Sequence, residues 1–224
     1  MNPRISVLAA CMALFLLCSC AGDFDLSGPG TVYLDEEVKS SDVQRMVQPK
    51  NHPMRPLTAL MLPLRVDQKM RDRSYLGMEL SRIVWQSMLE VQAFPALSFA
   101  EDSALRNDFA AAQSVAISQG ADLIIGGEIT HILDGGTAGQ TQVSMRIRVY
   151  DATTGTLIWS LAQAGQIIPG QTRDFVFYRL KSRLPLSPVQ TVVGSMAQSM
   201  GEIIRDWNMP QPKDDAKESP KPAL

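Results

Sequence analysis

An α/β fold, one mixed sheet flanked by helices in the order β-α-β-α-β-β-β-α, is what this sequence predicts. Three observations lead there. Apolar residues recur at helical spacing in three separate stretches. Short apolar runs bounded by Gly, Pro or Asp lie between the first two helices and beside them. A cleanly alternating segment follows, flanked by two glycine-bearing turns.

The folded region begins at Leu57, and Thr58 to Leu64 reads as the first strand. Pro63 has no N–H for a ladder, so it marks an end or an edge. From Ser74 to about Val91, Leu76, Leu80, Ile83, Val84, Met88 and Val91 give an amphipathic helix, stopped by Phe94-Pro95. Ala96 to Phe99 forms a second strand. Asp102 or Ser103 caps a second helix, which runs through Phe109 to Ile117 and ends at Gly120.

Ala121 to Leu133 is the third strand. Its unbroken Leu123-Ile124-Ile125 is the pattern of a strand covered on both faces. Gly126-Gly127 has no side chains to pack, which implies a close neighbour. After a turn at 134–139, Gln142 to Tyr150 alternates: Val143, Met145, Ile147 and Val149 on one face, Ser144, Arg146, Arg148 and Tyr150 on the other. Asp151, Thr154 and Gly155 shape a second turn, with Gly155 at a positive-φ position. Leu157, Trp159 and Leu161 point inward from the fifth strand. The last helix starts with Ser187 as N-cap and Pro188 at N1, and carries Val189, Val192, Val193, Met196, Met200, Ile203, Ile204 and Trp207 as its apolar stripe. An early βαβ unit calls for parallel pairing and the later hairpins for antiparallel pairing, hence the mixed sheet.

The termini read differently. Arg4 precedes an apolar run from Ile5 to Leu17, too short for a permanent span. Leu17-Cys18-Ser19-Cys20 then resembles the bacterial lipobox, which implies acylation of Cys20 and removal of residues 1–19. Cys18 fits less well because bulky Leu17 would sit at the cleavage point. Ala21 is not Asp, which by the accompanying sorting rule implies the outer membrane. Cleavage leaves one cysteine, occupied by lipid, so no intrachain disulfide can form. Residues 20–56, with Ser27-Gly28-Pro29-Gly30 and Pro49 to Pro53, read as a lipidated flexible tether of roughly 30 Å r.m.s. reach. Thr31 to Leu34 could form a short strand within it. Residues 57–208 form the α/β domain, and the Pro- and Lys-rich 209–224 a disordered tail. Lys+Arg number 21 against 23 Asp+Glu, a balance without the basic excess of a nucleic-acid binder.

A resemblance sharpens the fold. Gly120-Ala121-Asp122-Leu123-Ile124-Ile125-Gly126-Gly127-Glu128-Ile129, followed by Val143 to Ser160 with Arg146, Asp151, Thr154, Gly155 and Trp159, resembles the core motif of a group of periplasmic lipoproteins. The group includes the curli-secretion lipoprotein CsgG, the penicillin-binding-protein activator LpoB, the flagellar lipoprotein FlgO and the TolB N-terminal domain. The resemblance implies a TolB N-terminal-like or CsgG-like fold and action by assembly with other proteins. Fold alone does not give function.

Candidate chemistry is sparse. His52 lies in the tether and His131 on the third strand, without a cluster at metal-ligand spacing, so neither metal nor cofactor is expected. His131 shares the parity of Ile129 and Leu133 and reads as a hydrogen-bonded sheet residue. Glu128 is the one charge on an apolar strand. A general base is one reading; a cross-strand ion pair with Arg146 or Arg148 is the preferred one. Arg71, Arg73, Arg146 and Arg148 read as a solvated face able to meet an acidic partner. The expectation is a non-catalytic, lipid-anchored outer-membrane accessory of an envelope machine, in secretion, flagellar or cell-wall synthesis. Its partners are envelope proteins and the membrane, with a second copy of the chain among the candidates. A CsgG-like oligomeric secretion channel is the first alternative and would need a β-rich extension at 162–186, a segment read as a loop or surface extension. An envelope hydrolase using Glu128 and His131 is the second.

Overall fold

The structure is a computed structural model that describes residues 31–136, 139–170, 173–174 and 179–209. In chain order its strands and helices are β1 (Thr31–Asp35), β2 (Lys39–Ser40), β3 (Gln44–Val47), β4 (Ala59–Met61), β5 (Arg65–Val66), α1 (Arg73–Glu90), β6 (Leu97–Phe99), a 3-10 turn (Ser103–Arg106), α2 (Phe109–Ser118), β7 (Leu123–Leu133), β8 (Thr141–Asp151), β9 (Leu157–Ile167), β10 (Arg173–Asp174), β11 (Arg179–Arg183) and α3 (Pro188–Asn208). The chain divides into two units, one of residues 1–34 and 171–182, the other of 35–170 and 183–224.

The smaller unit supplies most of a three-stranded sheet in the order β1-β11-β10. In it β10 and β11 pair antiparallel, Arg173 opposite Leu180. The segment 162–186, read from sequence as a loop or surface extension, contains strands: β9 runs on to Ile167, and β10 and β11 follow. Phe175 to Tyr178 lie outside the described residues.

The larger unit holds the expected mixed sheet, in the order β2-β9-β8-β7-β4-β6, with β3 on β9 and β5 on β7. β4 pairs parallel with β6 and β7, while β7, β8 and β9 form an antiparallel meander. The first strand expected over 58–64 breaks into β4 and β5, and the break holds Pro63, which cannot donate to a ladder.

Leu123-Ile124-Ile125 is covered on both faces. Leu123 and Ile125 enter a large core with Val84, Met88, Ile147, Met196 and Met200 beneath α1 and α3. Ile124 enters a smaller cluster with Leu60, Leu62, Ala112, Ala116 and Ala152 beneath α2. Ser187 precedes α3 and Pro188 opens it, but the Ser187 side chain makes no capping bond. The second helix is two pieces: Asp102 caps the 3-10 turn through the Ala104 N–H, and Asp108 caps α2 through the Ala111 N–H.

The expected tether is shorter than residues 20–56. β2 and β3 add to the outer edge of β9, with Gln44 opposite Ala162 and Lys39 opposite Gln166. Further on, α3 clamps the chain. Trp207 Nε1 donates to the Asn51 carbonyl at 2.7 Å, and His52 Nδ1 donates to the Trp207 carbonyl at 2.8 Å. Buried Asn208 accepts from the Leu57 N–H at 2.8 Å and donates to the carbonyls of Leu57 and Ala93. These bonds satisfy backbone groups that would otherwise be lost in the transition from strand to loop.

Asp122 fixes the start of β7. Its carboxylate accepts from Arg55 at 2.6 and 3.0 Å and from the Thr58 N–H at 2.9 Å. Arg55, with Thr58 behind it, holds the Asp122 carboxyl below the usual carboxylate range, and Asp122 in turn raises the exposed Arg55.

Of the two glycines on β7, only Gly127 meets a close neighbour. A Cβ there would lie 2.3 Å from the Arg146 carbonyl oxygen, whereas one on Gly126 meets nothing within 4 Å. Gly127→Ala should therefore lower stability by about 1–3 kcal/mol, while Gly126→Ala should leave it unchanged or raise it by less than about 1 kcal/mol, as read from urea unfolding. The depressed folded pKa of Asp122 means that its contribution is complete above the unfolded Asp value of about 4 and is lost as pH falls through the folded value. The stability gap between wild type and Asp122→Asn should accordingly close on the acid side, and a gap constant down to about pH 2 would contradict this.

Candidate binding cleft

Sheet register brings one acid and several cations together. Glu128 on β7 lies directly opposite Arg146 of β8 and, on its other side, opposite Arg65 of β5. Arg148 is the diagonal neighbour, two residues along β8. The carboxylate is 5 % exposed as a residue. Its Oε1 accepts from Arg148 at 2.8 Å and Arg146 at 3.1 Å, and its Oε2 from Arg65 at 3.0 Å. Arg65 also bonds Asp67 at 2.6 Å, and Asp67, then Glu128, raise its guanidinium above the ordinary value. A buried carboxylate is tolerated only when its lone pairs are occupied in this way.

The cluster forms part of a cleft of about 410 Å³ on the sheet face that carries α2. Pro63, Phe109, Ile124 and Tyr150 give it apolar walls, and Arg65, Arg106, Glu128 and Arg148 its polar groups. Phe109 and Tyr150 meet edge to face with ring centroids 5.0 Å apart. Bare Gly126 lines the cleft, and the 151–155 turn supplies a rim at Gly155. That turn is tied by Asp151, whose Oδ1 accepts from the Thr153 and Thr154 N–H groups at 2.9 and 2.6 Å and from Thr154 Oγ1 at 3.0 Å. Gly155 follows at φ +70°, the left-handed region that favours glycine. Trp159 is on the opposite face of the sheet, buried and edge to face with Trp207 at 6.0 Å.

Two readings of the sequence change here. His131 is exposed, because an irregularity in the ladder between Ile129 and His131 turns the following residues over. Ile132 takes the buried place that parity gave to His131. Arg146 and Arg148 are half-buried partners of Glu128 rather than a purely solvated face. Cys20 lies outside the described residues.

Arg65, Arg106 and Asp122 were not singled out by sequence. Arg65 follows an apolar run, and only parallel pairing of β5 with β7 takes it to Glu128. Arg106 sits in the 3-10 turn, where no periodicity points. Among the described residues no group of His, Cys, Asp and Glu is arranged to hold a metal ion, and no helix is long and apolar enough to cross a membrane.

No family model matches the chain, and no curated protein matches it in sequence. Solved structures are similar to it only at low identity. The PelC dodecamer from Paraburkholderia phytofirmans is 13 % identical, covering 75 % of this chain and 96 % of that one, with a TM-score of 0.47. The lipoprotein GNA1162 from Neisseria meningitidis is 13 % identical over 54 % of this chain and 86 % of its own, TM-score 0.33. The LpoB C-terminal domain from Salmonella enterica is also 13 % identical, over 51 % and 87 %, TM-score 0.26. Structural neighbours thus include lipoproteins, while the function of this chain has to be argued from its own residues.

Removing the central acid should be costly. Glu128→Ala leaves half-buried guanidinium groups facing one another and should lower stability by about 1–3 kcal/mol in urea unfolding. Arg65→Gln, at an exposed side chain that keeps its packing stem, should cost under about 1 kcal/mol. Equal losses for the two variants would contradict a Glu128-centred cluster.

Proposed function

We propose that this chain is a non-catalytic outer-membrane lipoprotein, anchored through Cys20, that docks envelope proteins on its folded domain as an accessory to an envelope machine. The observation that carries the docking half is a part of the sheet that no helix among the described residues covers. Beyond α2, the face bearing Thr130, Ser144, Arg146, Ala162 and Ala164 is half-buried to exposed, and β3 closes it at the edge. A shallow depression of about 200 Å³ lies there, lined by these residues with Gln44 and Gln163. Glu128 neutralises charge at the end of that face and keeps the arginines in fixed positions, which suits recognition of a partner. The anchoring half rests on the lipobox resemblance at Leu17 to Cys20. Several acyl chains make such an anchor stable, since one chain alone binds reversibly. A tether then raises the local concentration of the domain near membrane-bound partners.

A second reading is an oligomeric channel subunit. One observation favours it: β10 and β11 lie within the segment that such a channel would extend.

The test is mild cross-linking in native membranes, capture of the intact chain and mass spectrometry of the N-terminal peptide and its partners. Acylated Cys20 recovered with a discrete set of envelope proteins is the expected result, and Cys20→Ala should release the chain from the membrane. Recovery mainly of self-linked species would favour the channel. An unmodified Cys20 on a freely soluble chain would overturn the anchoring.

A further inference from the structure

The arginines of the cleft outnumber the acids that face them, on a chain whose net charge is -2. Glu128 is saturated: Arg146 and Arg148 occupy one oxygen and Arg65 the other. Arg106 is left with the Leu64 carbonyl and Ser74 Oγ, both at 3.4 Å, and among the described residues it has no carboxylate partner. Its side chain is half-buried and lines two adjoining cavities of about 410 Å³ each, the cleft described above and one bounded by Arg65, Asp67, Arg73, Ser74 and Asn107. A guanidinium without an anion beside a cleft has donors free for a planar oxyanion.

The remaining wall is apolar and flat. Phe109 is 38 % exposed and presents a ring stabilised by Tyr150. Half-buried Tyr150 lines the cleft with it, buried Pro63 and Ile124 back the wall, and the absent side chain of Gly126 leaves space open there. Small-molecule sites have this composition and size: a mostly apolar concavity of roughly 300–1,000 Å³ with a few placed polar groups.

We infer that this cleft is a binding site for a small organic anion, a carboxylate or phosphate joined to a flat apolar group. Arg106 takes the anionic end, with Arg65 adding field. Phe109 and Tyr150 take the flat group. Glu128 holds Arg148 and Arg65 at the cleft's edge and does not itself contact the ligand. The site adjoins the protein-docking face at the Glu128 cluster, has its ligand-binding residues outside that face, and stands without the lipid anchor.

The test is calorimetric titration of the full chain in detergent with phenyl phosphate and with benzoate. Inorganic phosphate serves as the anion without a ring, and glycerol phosphate represents a lipid headgroup. Saturable binding of at least one ring-bearing probe, about tenfold tighter than inorganic phosphate or glycerol phosphate, is expected. Arg106→Gln should weaken that binding about tenfold while keeping the wild-type melting curve, and Phe109→Ala should weaken it by a comparable factor while still unfolding cooperatively at a somewhat lower temperature. Arg205→Gln, on α3, serves as a surface control and should bind as wild type. Glycerol phosphate binding as tightly as the ring-bearing probes would overturn recognition of the flat group and assign the site to headgroups. No saturation by either ring-bearing probe up to about 10 mM, or an affinity unchanged by Arg106→Gln, would overturn the site itself.

Discussion

The Glu128 carboxylate is the constraint around which the sheet is organised. It sits on the central strand, between a parallel neighbour and an antiparallel one, and accepts from an arginine on each side. A buried carboxylate is costly unless such partners are present, so the charge makes sense only if β5, β7 and β8 are all in register. A slip of β8 by one residue would turn Arg146 and Arg148 into the core and Ile147 out of it. The pairing therefore specifies the sheet more than it stabilises it. The same register brings the Arg146 carbonyl close over Gly127, where no side chain could stand.

Much of this was readable from the sequence because period and parity carry it. β8 alternates from Thr141 to Val149 without a break, so the faces of Arg146 and Arg148 followed at once. Given an antiparallel hairpin, the position of Glu128 opposite Arg146 followed too. The stripe of α3 was legible for the same reason: Val189, Val192, Val193, Met196, Met200 and Ile204 repeat at helical spacing, and all are buried. Asp151, Thr154 and Gly155 spell a turn whose bonds depend on residues three or four apart.

What sequence missed depends on contacts between distant segments. His131 was misplaced by a single irregular step in the ladder, which no alternation pattern announces. Residues 51–57 look like breakers in isolation, yet Trp207 and Asn208, some 150 residues away, take up their backbone groups. β2 and β3 have few apolar residues because they hold the sheet edge by backbone bonds, and an edge strand needs no buried face to be ordered there. The partners of Asp122 and Glu128 at Arg55 and Arg65 belong to the same class: a parallel strand pair leaves no local trace.

The layering explains where function can reside. One face of the sheet is consumed by α1 and α3, whose buried residues join a single large core with the inner residues of β4, β7, β8 and β9. Among the described residues the other face has only α2, ten residues long and rich in alanine, over a much smaller cluster. Alanine lets that helix lie close to the sheet but covers little area, so the face is left open on the side of Arg146 and Arg148. An uncovered sheet face must be polar, or it would aggregate; here the polarity is supplied by arginines whose charge Glu128 answers. The arginines proposed for docking are thus held on strands, and their positions are fixed by the same ladder that sets the fold. A surface of this kind can be specific without any part of it moving.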